Sequence, residues 1–161
     1  MRRTIAGVAL LCGFAGAAPA AEPAKPDAPG AASAPALAGE QAAELRNRGV
    51  AALRQGHPAD AEKLFQEIVV LLDRERAPDV FRGWARMDLA KALAAQGRKA
   101  ESEQLVMESF ALREPASPPD PLLDEDMSHW IEHLRGEGRT ADAQALEQRL
   151  TAFRSRQKPA P

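Results

Sequence analysis

Three glycines, Gly56, Gly97 and Gly138, stand 41 residues apart, and the positions around them repeat under the same offset. Ala59, Ala100 and Ala141 follow, then an acidic residue each time (Asp60, Glu101, Asp142), then a small one (Ala61, Ser102, Ala143). Leu64, Leu105 and Leu146 continue the series, and Gln55, Gln96 and Glu137 precede the glycines. The connectors share it too, because Pro78 and Asp79 lie 41 residues before Pro119 and Asp120. A period of this size marks a chain built from one supersecondary unit used several times, each unit covering the apolar side of its neighbour.

The unit is a helix pair. Apolar residues at helical spacing precede each glycine, as in Leu89, Ala90, Ala92 and Leu93, and resume after it, as in Leu105, Val106 and Leu112. Glycine tolerates the positive φ that ends a helix, and Pro58 suits an early position of the next one. Asp120 followed by Pro121 reads as an N-cap and first helical residue. The spacing predicts helices over 41–55, 58–75, 79–96, 99–113, 121–136 and 139–154, grouped as repeats at 41–76, 79–117 and 120–154. In the last helix Ala145, Leu146, Leu150 and Phe153 can face inward while Gln148, Arg149 and Arg154 face water.

Composition agrees with helices. Alanine supplies 34 of the 161 residues and tyrosine is absent, whereas sheets draw on aromatic and β-branched residues. The net charge of −2, with no long basic run, removes the footprint of a nucleic-acid binder.

The N-terminus reads as an address. Arg2 and Arg3 precede an apolar run from Ile5 to Ala18, and Ala18 and Ala20 frame a cleavage site. This is the layout of a secretory signal peptide spanning residues 1–20 and cut after Ala20. The run of about 14 residues is short of the roughly 20 that span a bilayer, which makes an uncleaved membrane anchor the alternative. The expected destination is the periplasm of a bacterium, with membrane contact only transiently through the signal. Cys12 lies inside the signal and Leu11 precedes it, against lipid attachment. The mature chain would hold no cysteine, which excludes disulfides, thiolate metal sites and a cysteine nucleophile. Residues 21–40, rich in Ala and Pro, are expected to form a disordered linker, and 155–161 a disordered tail.

The stretches GVAALRQGHPADAEKLFQEIV and LAKALAAQGRKAESEQLVMESFAL resemble tetratricopeptide repeats, with a small residue in the first helix, a glycine turn, and a small then a large apolar residue in the second. The 41-residue period, the PD connectors and the AExL and ESEQL phrases are more similar to the kinesin light chain variety than to the usual period of 34. In the third unit Ile131 replaces the small residue matched by Gly49 and Ala90, and Glu147 the large one matched by Phe65 and Val106, departures that suit a terminal repeat.

The resemblance implies an all-α, right-handed α-solenoid of three helix-turn-helix repeats whose first helices line a concave groove for a peptide or protein partner. Carried over by register, the groove positions are Arg46, Val50 and Leu53, then Trp84, Met87 and Lys91, then Ser128, Glu132 and Arg135. Trp84 either lines this groove or seals the joint between the first two repeats. Arg46, Lys91 and Arg135 read more readily as a solvated face than as a clamp for carboxylates.

One string looks catalytic. His129, Glu132 and His133 spell HxxEH, the inverted zinc-protease motif. A catalytic zinc needs a third protein ligand and a walled cleft, and the string lies in the first helix of a repeat with only 28 residues after it. His133, at the register position of Ala51 and Ala92, is expected to pack against its own hairpin. Asp124, Glu125 and Asp126 open a helix, where they suit its dipole. No enzyme activity, cofactor or metal is therefore expected. The reading is an exported interaction module, with a structural subunit contacting neighbours through its end helices as the alternative. It leaves the partner and the oligomeric state open.

Overall fold

The computed structural model describes residues 34–157, and the stretch read above as a signal peptide, most of the expected linker and residues 158–161 lie outside that range. Six helices follow one another: α1 (Ala34–Arg54), α2 (Pro58–Arg74), α3 (Asp79–Ala95), α4 (Lys99–Arg113), α5 (Leu123–Gly136) and α6 (Thr140–Gln157). Among the described residues there is no strand. The all-α array of three helix pairs that the period predicts is what forms.

The repeated glycines make the same turn three times. Gly56, Gly97 and Gly138 have φ of 76°, 77° and 75°. At each, the N–H of the following residue donates back into the helix, His57 to Ala52 O at 2.9 Å, Arg98 to Leu93 O at 3.0 Å and Arg139 to Leu134 O at 2.9 Å. The glycine N–H groups reach Leu53, Ala94 and Arg135 O at 2.9–3.0 Å. This pair of bonds is the Schellman motif, which satisfies carbonyls that a helix end leaves free. α2 ends the same way without a glycine: Ala77 N donates to Leu72 O at 2.9 Å across Arg76, whose φ is 51°.

Inside each pair the small residues allow close crossing. Ala61, Ser102 and Ala143 are all buried, and the Ser102 hydroxyl donates to Ala90 O at 2.8 Å. A Cβ built on Gly49 would lie 2.5 Å from the Phe65 ring, so the glycine is the socket for that ring. The third repeat reverses the arrangement. Ile131 is buried and fills the space from the first helix, while Glu147 turns outward to pair with Arg135. Two apolar cores result, one joining the first and second repeats around Phe65, Leu89 and Leu93, the other joining the second and third around Phe110, Met127, Leu146 and Phe153.

The joints between repeats are also tied at the surface, in register. Arg98 Nη1 donates to Glu62 Oε1 at 2.6 Å and Arg139 Nη1 to Glu103 Oε1 at 2.7 Å. Each arginine also holds the acid three residues on, Glu101 at 2.5 Å and Asp142 at 2.8 Å. The corresponding positions at the two ends of the array are His57 and Gln144.

Three boundaries differ from the expectation. Residues 34–40, assigned above to a disordered linker, are the first two turns of α1. Pro35 sits in the first turn, where its missing N–H is no loss, and Ala38 and Leu45, one heptad apart, are both buried. α6 runs through Gln157 into the expected tail, since Ser155, Arg156 and Gln157 contain no breaker ahead of Pro159. α5 begins at Leu123 with Leu122 at its N-cap, and Asp120 caps the turn ahead of it instead, its Oδ1 accepting the Leu122 N–H at 3.0 Å and its backbone carbonyl the Leu123 N–H at 3.3 Å. In α6, Leu146, Leu150 and Phe153 are buried as expected, but Ala145 is exposed.

Candidate partner-binding cleft

α1 and α3 lie side by side and present unlike walls. From α1 come Ala38, Gly39, Ala42 and Ala43; from α3 come Phe81, Trp84 and Ala85. Small side chains opposite large ones leave a cleft of about 720 Å³, floored by Ile68 and Leu72 of α2 and closed at one end by Leu122 and Asp126 ahead of and within α5. Phe81 and Leu122 are 48% and 50% exposed, although large and apolar. Clustered apolar exposure of this kind is uncommon on a surface with nothing to bind.

Trp84 lines the cleft and is not among the side chains of the apolar core between the first two repeats. Its ring lines the cleft in edge-to-face contact with Phe81, centroids 5.3 Å apart at 76°, while its Nε1–H donates to Asp120 Oδ2 at 3.0 Å. That oxygen also accepts from Arg113 Nε, and both charged side chains are fully buried. Arg113 reaches this place because position 83 is glycine: a Cβ there would meet the arginine stem at 2.6 Å. Arg113 Nη1 lies 2.7 Å from Asp126 Oδ2, an ion pair by distance whose angles fall outside hydrogen-bond geometry. Nη1 and Nη2 thus donate to no acceptor among the described residues.

At the other end the cleft is polar. Asp88, almost buried, accepts from Arg46 Nε at 2.5 Å and Lys91 Nζ at 3.3 Å, and both cations are more than half exposed. Two positive groups on one carboxylate leave one net positive charge there.

Of the nine positions carried over by register, Arg46, Trp84, Met87 and Lys91 line the cleft. Val50 and Leu53 pack against the core between α1 and α2. Ser128 donates to Asp124 O at 2.8 Å, Glu132 pairs with Arg135 at 2.5 Å, and Arg135 also reaches Glu147. Where α3 presents Trp84 to the cleft, the register position in α5 holds Glu125. Phe81, Asp88, Leu122 and the α1 alanines were not singled out by the sequence. Phe81 and Asp88, three before and four after Trp84, share its helix face and could have been found by that spacing.

His129 and His133 are exposed. His133 stacks on Trp130, centroids 4.7 Å apart, and its Nε2 is 3.7 Å from Glu137. It does not pack into its hairpin, because Trp130 takes the inner position. Among the described residues no three His, Cys, Asp or Glu side chains gather as metal ligands.

Several surface carboxylates are held below their ordinary range by hydrogen-bond donors: Glu62 by the Gln96 amide and then Arg98, Glu101 by Arg98, Asp124 by Arg154, and Glu137 chiefly by Lys99. For Asp73, partial burial pushes upward, and hydrogen bonds from Arg86 and Arg82 outweigh it.

With the fold and cleft in place, comparison with known proteins is direct. The middle repeat matches the tetratricopeptide repeat family. The match covers residues 83–120, from the glycine that admits Arg113 to the buried aspartate. No curated protein and no solved structure matches the chain. The tetratricopeptide match and the all-α array of helix pairs agree on an architecture of stacked repeats, and repeats of this kind serve protein–protein interaction. No described helix is long and apolar enough to cross a membrane.

Proposed function

We propose that this chain is an exported tetratricopeptide-type interaction module, without enzymatic activity, that holds a peptide segment of a protein partner in the α1–α3 cleft. The observation that carries the reading is the cleft itself, an apolar space of about 720 Å³ with an exposed aromatic wall, between first helices of adjacent repeats. Its chemistry selects the occupant: apolar side chains against Phe81 and Trp84, and an acidic group towards Arg46 and Lys91, which share only Asp88. Of the remaining register positions, Val50 and Leu53 enter this reading only as core support of α1, and Ser128, Glu132 and Arg135 only as flanking surface. The period of 41 residues supports the kinesin light chain variety of the repeat, and the signal layout of residues 1–20 supports export, with a periplasmic module as the destination. The alternative of an assembly subunit joined through its end helices has less behind it, since the outward face of α6, with Gln144, Gln148, Thr151 and Ser155, is polar.

The test is selection from a displayed random-peptide library on the folded protein. Enriched sequences with two or more apolar residues near an acid, whose capture falls at least tenfold in Trp84→Ala with unchanged helicity, support the cleft. Enrichment indifferent to Trp84→Ala and to Lys91→Ala removes it.

A further inference from the structure

We propose that Asp120 is a positioning residue for the cleft: clamped by Arg113, its carboxylate holds the Trp84 indole by its N–H and so fixes the aromatic wall. This rests on the reading of the cleft as the binding site and adds how its wall is set.

A tryptophan on the rim of an apolar space has two soft torsions and would sample several orientations if only packing restrained it. Trp84 has a directional restraint instead, the 3.0 Å bond from Nε1 to Asp120 Oδ2. The acceptor is itself immobile. Asp120 is fully buried at its side chain, takes Arg113 Nε on the same oxygen and the Leu122 N–H on the other. Arg113 is fixed in turn, its stem lying in the space that Gly83 leaves open between α3 and α4. The chain of contacts runs from the α4 terminus through the connector to the cleft wall, and none of its charged members except Asp126 lines the cleft. A buried charge pair is poor value as stability alone, since apolar residues of the same volume do as well or better. Its use here is orientation: a carboxylate held this firmly presents one acceptor at one place. Phe81, in edge-to-face contact with the indole, takes its own position from that ring. The arrangement leaves the wall ready for an occupant, so that little side-chain ordering remains to oppose binding.

The experiment uses the full chain carrying Trp130→Phe, which leaves Trp84 as the one indole. Hydrogen exchange of its Nε1–H is followed by NMR and its motion by fluorescence anisotropy decay. In the otherwise native protein the indole N–H should exchange at least tenfold more slowly than in a free peptide; exchange at the free rate overturns the proposal with no variant needed. Asp120→Asn should speed exchange and add a fast anisotropy component. Trp84→Phe, which deletes the N–H and leaves the Arg113–Asp120 pair intact, serves where Asp120→Asn does not fold. Binding is read with 1-anilinonaphthalene-8-sulfonate, an apolar body with one anionic end, at native helicity. Asp120→Asn or Trp84→Phe should weaken it several-fold, approaching Trp84→Ala. If Trp84→Ala weakens the probe and neither of the other two does, the positioning role is overturned and the cleft stands. If Trp84→Ala leaves the probe unaffected, the cleft reading fails, and the exchange measurement still decides what Asp120 does to the ring.

Discussion

Gly49 and Phe65 show how one missing atom sets the spacing of two helices. The ring occupies the volume a Cβ would take, so Gly49→Ala forces either the ring or the helix pair to move. Overpacking of this kind costs roughly 1–3 kcal/mol, and urea denaturation should show it as a lower midpoint at constant slope. Arg76 is the opposite case, a side chain in a backbone conformation that glycine adopts freely. A non-glycine residue in the left-handed region costs roughly 1–2 kcal/mol, part of which is returned by the greater freedom of glycine in the unfolded chain. Arg76→Gly should therefore raise stability by up to about 1 kcal/mol. A fall in melting temperature would contradict it. Both positions follow from local rules, but only the first was legible in the sequence. The small residue at 49 stands out against Ala90 in the repeat alignment, whereas nothing distinguishes Arg76 from an exposed loop arginine until its φ is seen.

Among the elements, α1 departs furthest from its sequence pattern. Its first two turns read as linker because Ala, Pro and Gly there carry no apolar periodicity, and the interactions that hold them come from outside the helix: Ala38 is buried, and the wall it shares with Ala42 and Ala43 gains its meaning from the aromatic residues of α3. Widening those alanines should fill the cleft without unfolding the array. Ala42→Leu with Ala43→Leu is expected to abolish capture of selected peptides while the circular dichroism spectrum and melting temperature change little, both residues being at least partly exposed. The turns and pairings of the other helices were legible, since a glycine with positive φ, a small residue at a crossing and a helical apolar stripe are each written locally. The Arg113–Asp120–Trp84 chain was not, because charged residues are expected at the surface and only tertiary structure could bring 113, 120 and 84 together inside. Arg113→Met, which strands the buried carboxylate, should cost roughly 3–5 kcal/mol by urea denaturation.

Over the whole molecule the arginine–glutamate ties make stability depend on pH and salt. Glu62, Glu101 and Glu137, ordinarily near 4.5, and Asp73 and Asp124, ordinarily near 3.8, are all depressed in the folded state. A carboxyl group whose pKa is lowered by folding adds stability that is fully present above its ordinary value and is lost as the pH falls through the depressed one. The melting temperature should thus be level from pH 7 to about 5 and decline below about 4.5, with a shallower decline at 1 M salt, where exposed pairs are screened. A melting temperature constant down to pH 3 would show that these ties contribute nothing.

The middle repeat alone carries both halves of the surface tie, Arg98 towards the repeat before it and Glu103 towards the one after, whereas the outer repeats end in His57 and Gln144. In genetic terms it is the segment whose tandem duplication keeps this surface tie at every joint. A second copy of residues 80–120 placed after Asp120 would meet its neighbours through Glu103–Arg98 and Glu103–Arg139 contacts, and would bring its own Trp84 and Asp120. A chain lengthened in that way has the means to grow by whole units, while copies of either outer repeat would break the series at the histidine or the glutamine.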